Sequence, residues 1–267
     1  MSRRRRQLLL GIGVLALFSA AVVTLAAYSF TVTFFELSVP TKHTTPIDQQ
    51  TAPAEASPIR ALMETADTMA DIRFREVVLA ASGHRVLAVD PASPEDRLLL
   101  DHLTTASDAL LEWINAPNSP VRGLRRINEA SSHVENELKR LLTQGNFTCS
   151  IPLSSTGKAQ RSGYPDLQIT HTPTGRVTYL DPKLFESTSR HSTLRTFYYE
   201  PDALTGKVQH EARHLLLGIS HNGKDGAWTF VGWELIDLHD FHVRLKAEFQ
   251  GSNKDLYQEN LLLRKSG

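Results

Sequence analysis

The spacing of apolar side chains gives the chain three textures. Residues 7–35 form an uncharged run, preceded by Arg3, Arg4, Arg5 and Arg6 and closed by Glu36. The run is longer than the ~20 residues a helix needs to span a bilayer. The arginine block keeps to the cytoplasmic side and sends the remainder of the chain outward. This predicts a single-pass signal anchor in the cytoplasmic membrane over residues 1–40, with an extracytoplasmic carboxy-terminal part. A cleaved signal peptide, with Ala26 and Ala27 near the cut, is the rival reading. Residues 41–57 are rich in Thr, Pro, Gln and Ala, which predicts a flexible linker.

Apolar residues then recur at helical spacing. Ser57-Pro58 is a start signal, and Ile59, Leu62, Met63, Ala66, Ala70, Phe74, Val77 and Val78 predict one helix with a core stripe, stopped at Gly83. Residues 85–89 suit a short strand. Ser93-Pro94 opens a second helix to about Asn115, with Leu99, Leu103, Leu110, Leu111 and Ile114 inward. Asn118-Ser119-Pro120 breaks the pattern. Ile127, Val134, Leu138, Leu141 and Leu142 line a third helix that ends before Gly145.

Beyond Gly145 the pattern becomes strand-like. Residues 147–153, 193–199, 214–220 and 228–238 predict strands, 207–213 a short helix and 253–263 a terminal helix. In residues 164–183, Thr172-Pro173-Thr174-Gly175 separates two β-rich runs and predicts a hairpin. Helices followed by this mixture define an α/β (α+β) architecture with a mixed central sheet. The expected division is an anchor at 1–40, a linker at 41–57, a helical region at 58–120 and the α/β domain at 121–267.

Composition changes this picture little. The 267 residues are 41% hydrophobic and 22% charged, with a formal net charge of +0, so no global basic field marks a nucleic-acid binder. Cys149 is the only cysteine, which excludes an intramolecular disulfide and a cysteine-based zinc site.

The chemistry concentrates on the hairpin. If its strands pair, Asp166 lies beside Asp181, and Asp181 and Lys183, two residues apart, share a face. Two carboxylates and a lysine on one face suit a hard divalent cation and an oriented water. The plainer alternative is an ion pair of Asp181 with Lys183 or a nearby arginine. Pro182 between them predicts an edge or bulged strand there.

The order of these residues resembles the PD-(D/E)XK nuclease superfamily, the restriction-endonuclease-like fold. Val134-Glu135-Asn136-Glu137-Leu138 stands on the upstream helix, then Pro165-Asp166, the turn, and Asp181-Pro182-Lys183. The resemblance covers about residues 127–257 and implies a mixed central sheet flanked by helices. It implies that Asp166, Asp181 and the backbone carbonyl of Pro182 hold Mg²⁺, or Mn²⁺ in its place. Lys183 would hold and help deprotonate the attacking water. Glu135, or else Glu137, would hold a metal-bound water or a second ion. Lys207, Arg213 and Arg195 would approach the phosphate backbone of a nucleic acid, expected to be DNA. Glu135 also has an ordinary reading, a solvated charge paired with Lys139.

A second motif competes. His210-Glu211-Ala212-Arg213-His214 is a literal HExxH, which resembles the zincin metalloproteases. On a helix it would hold Zn²⁺ through His210 and His214, with Glu211 as general base and His221 or Glu234 as a further ligand. The apolar run after Arg213 instead suits a buried strand, which would cut that helix short. The expectation is therefore a membrane-anchored, metal-dependent nuclease. The alternatives are a zinc metalloprotease and a catalytically inactive exported interaction module.

Overall fold

The computed structural model describes residues 58–264, except 160, 161, 194–196, 202–205, 225 and 249. The expected anchor at 1–40 and linker at 41–57 lie outside the described residues. Among the described residues no helix is long and apolar enough to cross a membrane.

The helical pattern from Pro58 yields two helices, not one. α1 spans Pro58–Thr68 and α2 spans Phe74–Ser82, and Asp71 between them has φ of 58°. A left-handed residue cannot continue a right-handed helix. The chain turns there into β1 (Ile72–Arg73), which pairs antiparallel with His242 and Val243. Phe74 and Val78 are buried, whereas Ile59, Leu62 and Met63, expected in the core, are exposed.

β2 (Val86–Leu87) and α3 (Pro94–Asn115) follow as the pattern predicts. Leu99, Leu103, Leu110 and Ile114 of α3 are buried at helical spacing. A 3₁₀ turn at Ile127–Ala130 leads into α4 (Ser131–Leu142), which buries Val134, Leu138, Leu141 and Leu142.

The strands are β3 (Phe147–Ser150), β4 (Leu167–His171), β5 (Arg176–Glu186), β6 (Ala212–Asn222), β7 (Thr229–Asp237) and β8 (His242–Val243). α5 is only Asn253–Leu256, capped by Ser252, with a 3₁₀ turn at Glu259–Leu261 beyond it; the longer terminal helix does not form. One six-stranded mixed sheet runs β3, β4, β5, β6, with β2 and β7 both on the far side of β6. β5 runs parallel to β6, and β3, β4 and β5 form an antiparallel meander.

Period-two alternation gives the sheet two apolar faces. Leu167, Ile169, Leu180, Leu215, Leu217 and Ile219 pack with α3 and α4. Val177, Tyr179 and Ala212 pack on the opposite side with Phe74 and Val78 of α2. Two expectations fail on that second side. Residues 193 and 197–199 carry no strand; Phe197 and Tyr199 instead meet the Phe74 ring edge-on. No helix forms over 207–213, because β6 begins at Ala212.

Candidate active site

β4 and β5 are joined by the predicted turn, where Gly175 takes φ of 69°, a conformation that favours glycine. Leu167 and Leu180 are the last paired residues of this hairpin. One residue further stand Asp166, after a cis Tyr164–Pro165 peptide, and Asp181. From Asp181 onward β5 keeps β6 as its neighbour but has lost β4. Pro182 sits in this one-sided stretch, so its missing N–H leaves no gap in a ladder on the open side.

Asp181 and Lys183 share the α2 side of the sheet. The Lys183 Nζ stands 2.7 Å from Asp181 Oδ2 and 3.4 Å from Asp166 Oδ2. Asp181 is 1% exposed, and the Lys183 ammonium is the cation against its buried Oδ2. Burial pushes the Asp181 carboxyl up to about 7, helped by the Asp166 charge and opposed by Lys183. Burial would lower the pKa of Lys183. The carboxylates of Asp181 and Asp166 outweigh it and hold it above its ordinary value.

A second lysine approaches from the loop before β6. Gly206 O accepts a hydrogen bond from the Ser155 N–H at 3.1 Å, and the Gln209 N–H donates to the Tyr179 hydroxyl at 2.9 Å. Tyr179 shares the β5 face of Asp181, so this loop is pinned over that face. Lys207 between these anchors is only 5% exposed. Burial lowers its pKa, and Asp166, Asp181 and Glu135 oppose that shift in this order. The α4 residue Glu135 thus acts on the same ammonium as the two hairpin acids. Glu137, its neighbour, turns instead to Arg140 at 2.6 Å.

Beneath the acids lies a pair that sequence reasoning missed. The Tyr164 hydroxyl and His214 Nδ1 share a buried 2.7 Å hydrogen bond. Burial, followed by the Asp181 charge, raises Tyr164 well above the usual phenol range. Burial also brings His214 down to about 3. The only sequence signal was Tyr164 directly before Pro165-Asp166.

Other expected site residues lie elsewhere. Arg213 points to the opposite sheet face and forms a buried ion pair with Asp96 of α3, so it is not placed to meet phosphate. Adjacent positions on a strand face opposite ways, which separates Arg213 from His214. Arg195 lies outside the described residues. The HExxH stretch enters β6 rather than a helix, so His210 and His214 do not stack one turn apart. Glu211 is exposed and paired with Arg85 at 2.8 Å. His221 packs against Trp228 and Phe230, and Glu234 pairs with Arg190. Among the described residues no three His, Cys, Asp or Glu side chains gather as a metal cluster.

A mixed sheet flanked by helices carries two acids and a lysine where a hairpin opens, the arrangement expected from the resemblance to restriction-endonuclease-like nucleases. Residues 68–260 match the family described as Type II restriction enzyme MjaV, and the chain belongs to that family. A curated relative is the type II restriction enzyme MjaV of Methanocaldococcus jannaschii. It is 29% identical over 204 residues, which cover 72% of this chain and 87% of the relative.

Proposed function

We propose that the protein is a divalent-metal-dependent endonuclease that hydrolyses phosphodiester bonds in DNA, with Asp166, Asp181 and Lys183 as its PD-(D/E)XK group. The observation that carries this reading is the buried Asp181 carboxylate, set beside Asp166 and Lys183 where β5 loses its β4 neighbour.

The donor set fits Mg²⁺ or Mn²⁺. Two carboxylates and the Pro182 carbonyl are hard oxygen donors, and Mg²⁺ keeps several waters beside so few protein ligands. When bound, the ion would supply positive charge to the scissile phosphate and acidify a coordinated water. The protein residues hold the rest of the arrangement. Asp166 and Asp181 fix the ion at the hairpin mouth. Lys183 orients the attacking water and offsets phosphate charge, and Glu135 holds a water on the α4 side. DNA as substrate follows from family membership and from the name of the curated relative. The membrane anchor expected of residues 1–40 lies outside the described residues, and no part of the site depends on it.

Purified protein incubated with plasmid DNA tests the reading directly. Cleavage should require Mg²⁺ or Mn²⁺ and disappear in Asp181→Ala. No cleavage with either ion, or full cleavage by the variant, would sink it.

A further inference from the structure

Lys207 is the feature that the proposed reaction does not need. Lys183 already supplies the lysine of the motif, 2.7 Å from Asp181. Yet Lys207 is buried to 5% exposure in a loop held to Ser155 and Tyr179 on either side. An ammonium is buried at a large cost unless anions compensate it. The loop of Lys207 is pinned through Tyr179 over the sheet face that carries Asp181, and the negative charges of Asp166, Asp181 and Glu135 act on the ammonium there, while Lys183 opposes. Counted by formal charge, the two hairpin acids and the two ammonium groups sum to zero. With Lys207 removed, the same group would stand near −1.

We propose that Lys207 is a resident counter-ion of the carboxylate site, which a divalent ion must displace, and that DNA binding eases the displacement. This rests on the metal-dependent reading above and adds its regulation. Without DNA, Lys207 holds the acids together and lowers their attraction for a free divalent ion. A DNA phosphate drawn to the site offers the displaced ammonium a new anionic partner. Metal and DNA then favour each other's binding, and by linkage the coupling is the same in both directions. Such coupling would keep the nuclease empty of metal while no DNA is present.

The test is Mn²⁺ binding by electron paramagnetic resonance, a readout independent of turnover. It uses full-length wild type, Lys207→Met, Lys183→Met and Asp181→Asn, each with and without an uncleavable phosphorothioate duplex. Met preserves most of the buried stem of Lys207 without its charge, and thermal melting checks that each variant is folded. Without DNA, Lys207→Met should bind Mn²⁺ at least ~10-fold more tightly than wild type, as loss of a nearby positive charge demands. The duplex should tighten binding in wild type and do so much less in Lys207→Met. Unchanged or weaker Mn²⁺ binding by a folded Lys207→Met overturns the counter-ion role. If binding is then still lost in Asp181→Asn, the nuclease reading stands without it. If no protein binds Mn²⁺ in an Asp181-dependent way, both fall. Equal tightening by DNA in wild type and Lys207→Met overturns the coupling and leaves Lys207 an ordinary buried charge.

Discussion

Asp166 and Asp181 lie one residue beyond the last paired residues of the β4–β5 hairpin, and the Lys183 ammonium reaches both. One cation shared by two acids makes each of the three dependent on the others. Asp166→Asn, Asp181→Asn and Lys183→Met should each lower the single-turnover cleavage rate by ~100-fold or more, as loss of a positioned acid–base or charge-stabilising group does. Double variants should lose little beyond the single ones, because the group acts as a unit. Multiplying losses would argue that the three residues work apart.

The Glu211 carboxylate sits outside this unit, exposed and paired with Arg85. Glu211→Gln should therefore keep cleavage within about twofold of wild type, since exposed ion pairs contribute little. Metal analysis of the purified protein should find no stoichiometric zinc. A zinc-bound protein inactivated by Glu211→Gln would revive the metalloprotease reading.

Asp181 also carries a pH signature. Its folded-state carboxyl is pushed up to about 7, above the ordinary value near 4, so the folded protein binds the extra proton. Stability of the metal-free protein is then greatest below about pH 4 for this group and declines as pH rises through 7. Asp181→Asn removes that liability while keeping the shape. In EDTA it should melt higher than wild type at pH 8, and the gap should close towards pH 4. At this domain size each kcal/mol corresponds to about 2–4 °C. A variant that melts lower at pH 8 would contradict the assignment.

On the other sheet face, Asp96 joins α3 to the start of β6. It accepts from the Asp90 N–H at 2.8 Å and pairs with Arg213. Arg213→Ala strands a buried carboxylate and should cost about 3–5 kcal/mol, whereas Asp96→Leu with Arg213→Met should cost much less. Denaturant unfolding of the single and double variants measures this. Loss of DNA affinity without loss of stability in Arg213→Ala would return the arginine to a substrate-binding role.

The β6–β7 turn gives a sharper stability contrast. Gly223 has φ of 96°, and a Cβ there would stand 2.0 Å from the Ala227 carbonyl oxygen. Gly157 also has positive φ but faces open space. Gly157→Ala should cost on the order of 1 kcal/mol, the backbone penalty alone, and Gly223→Ala clearly more. Equal losses in melting temperature would show that the turn relaxes freely.

Local patterns carried much of this protein into view. The span of α3, the hairpin turn and the register that brings Asp166 to Asp181 follow from apolar spacing and from Pro-Thr-Gly, which act within a few residues. The failures have non-local causes. Asp71 breaks the first helix by adopting φ of 58°, in a chain turned towards a distant pairing with Val243. His210-Glu211-Ala212-Arg213-His214 has the composition of a helix motif, but pairing with β2 and β5 makes its second half a strand. That pairing decides which face each side chain takes, so it buries Arg213 with Asp96 and His214 with Tyr164. The burial of Lys207 in a loop pinned to Tyr179, over the face that carries Asp181, joins separate segments, and no local signal announces it.

The position of β6 in the chain has a consequence for synthesis. It is the strand on which β2, β5 and β7 all converge, yet it occupies residues 212–222 of 267. As the chain leaves the ribosome, the hairpin bearing Asp166 and Asp181 emerges well before the strand that seats it. Pairing across such sequence distances is slow, and an unpartnered strand edge is prone to misassociate. The hairpin therefore carries its acids without the neighbouring strand until β6 has been made, and the assembled carboxylate site forms only after that.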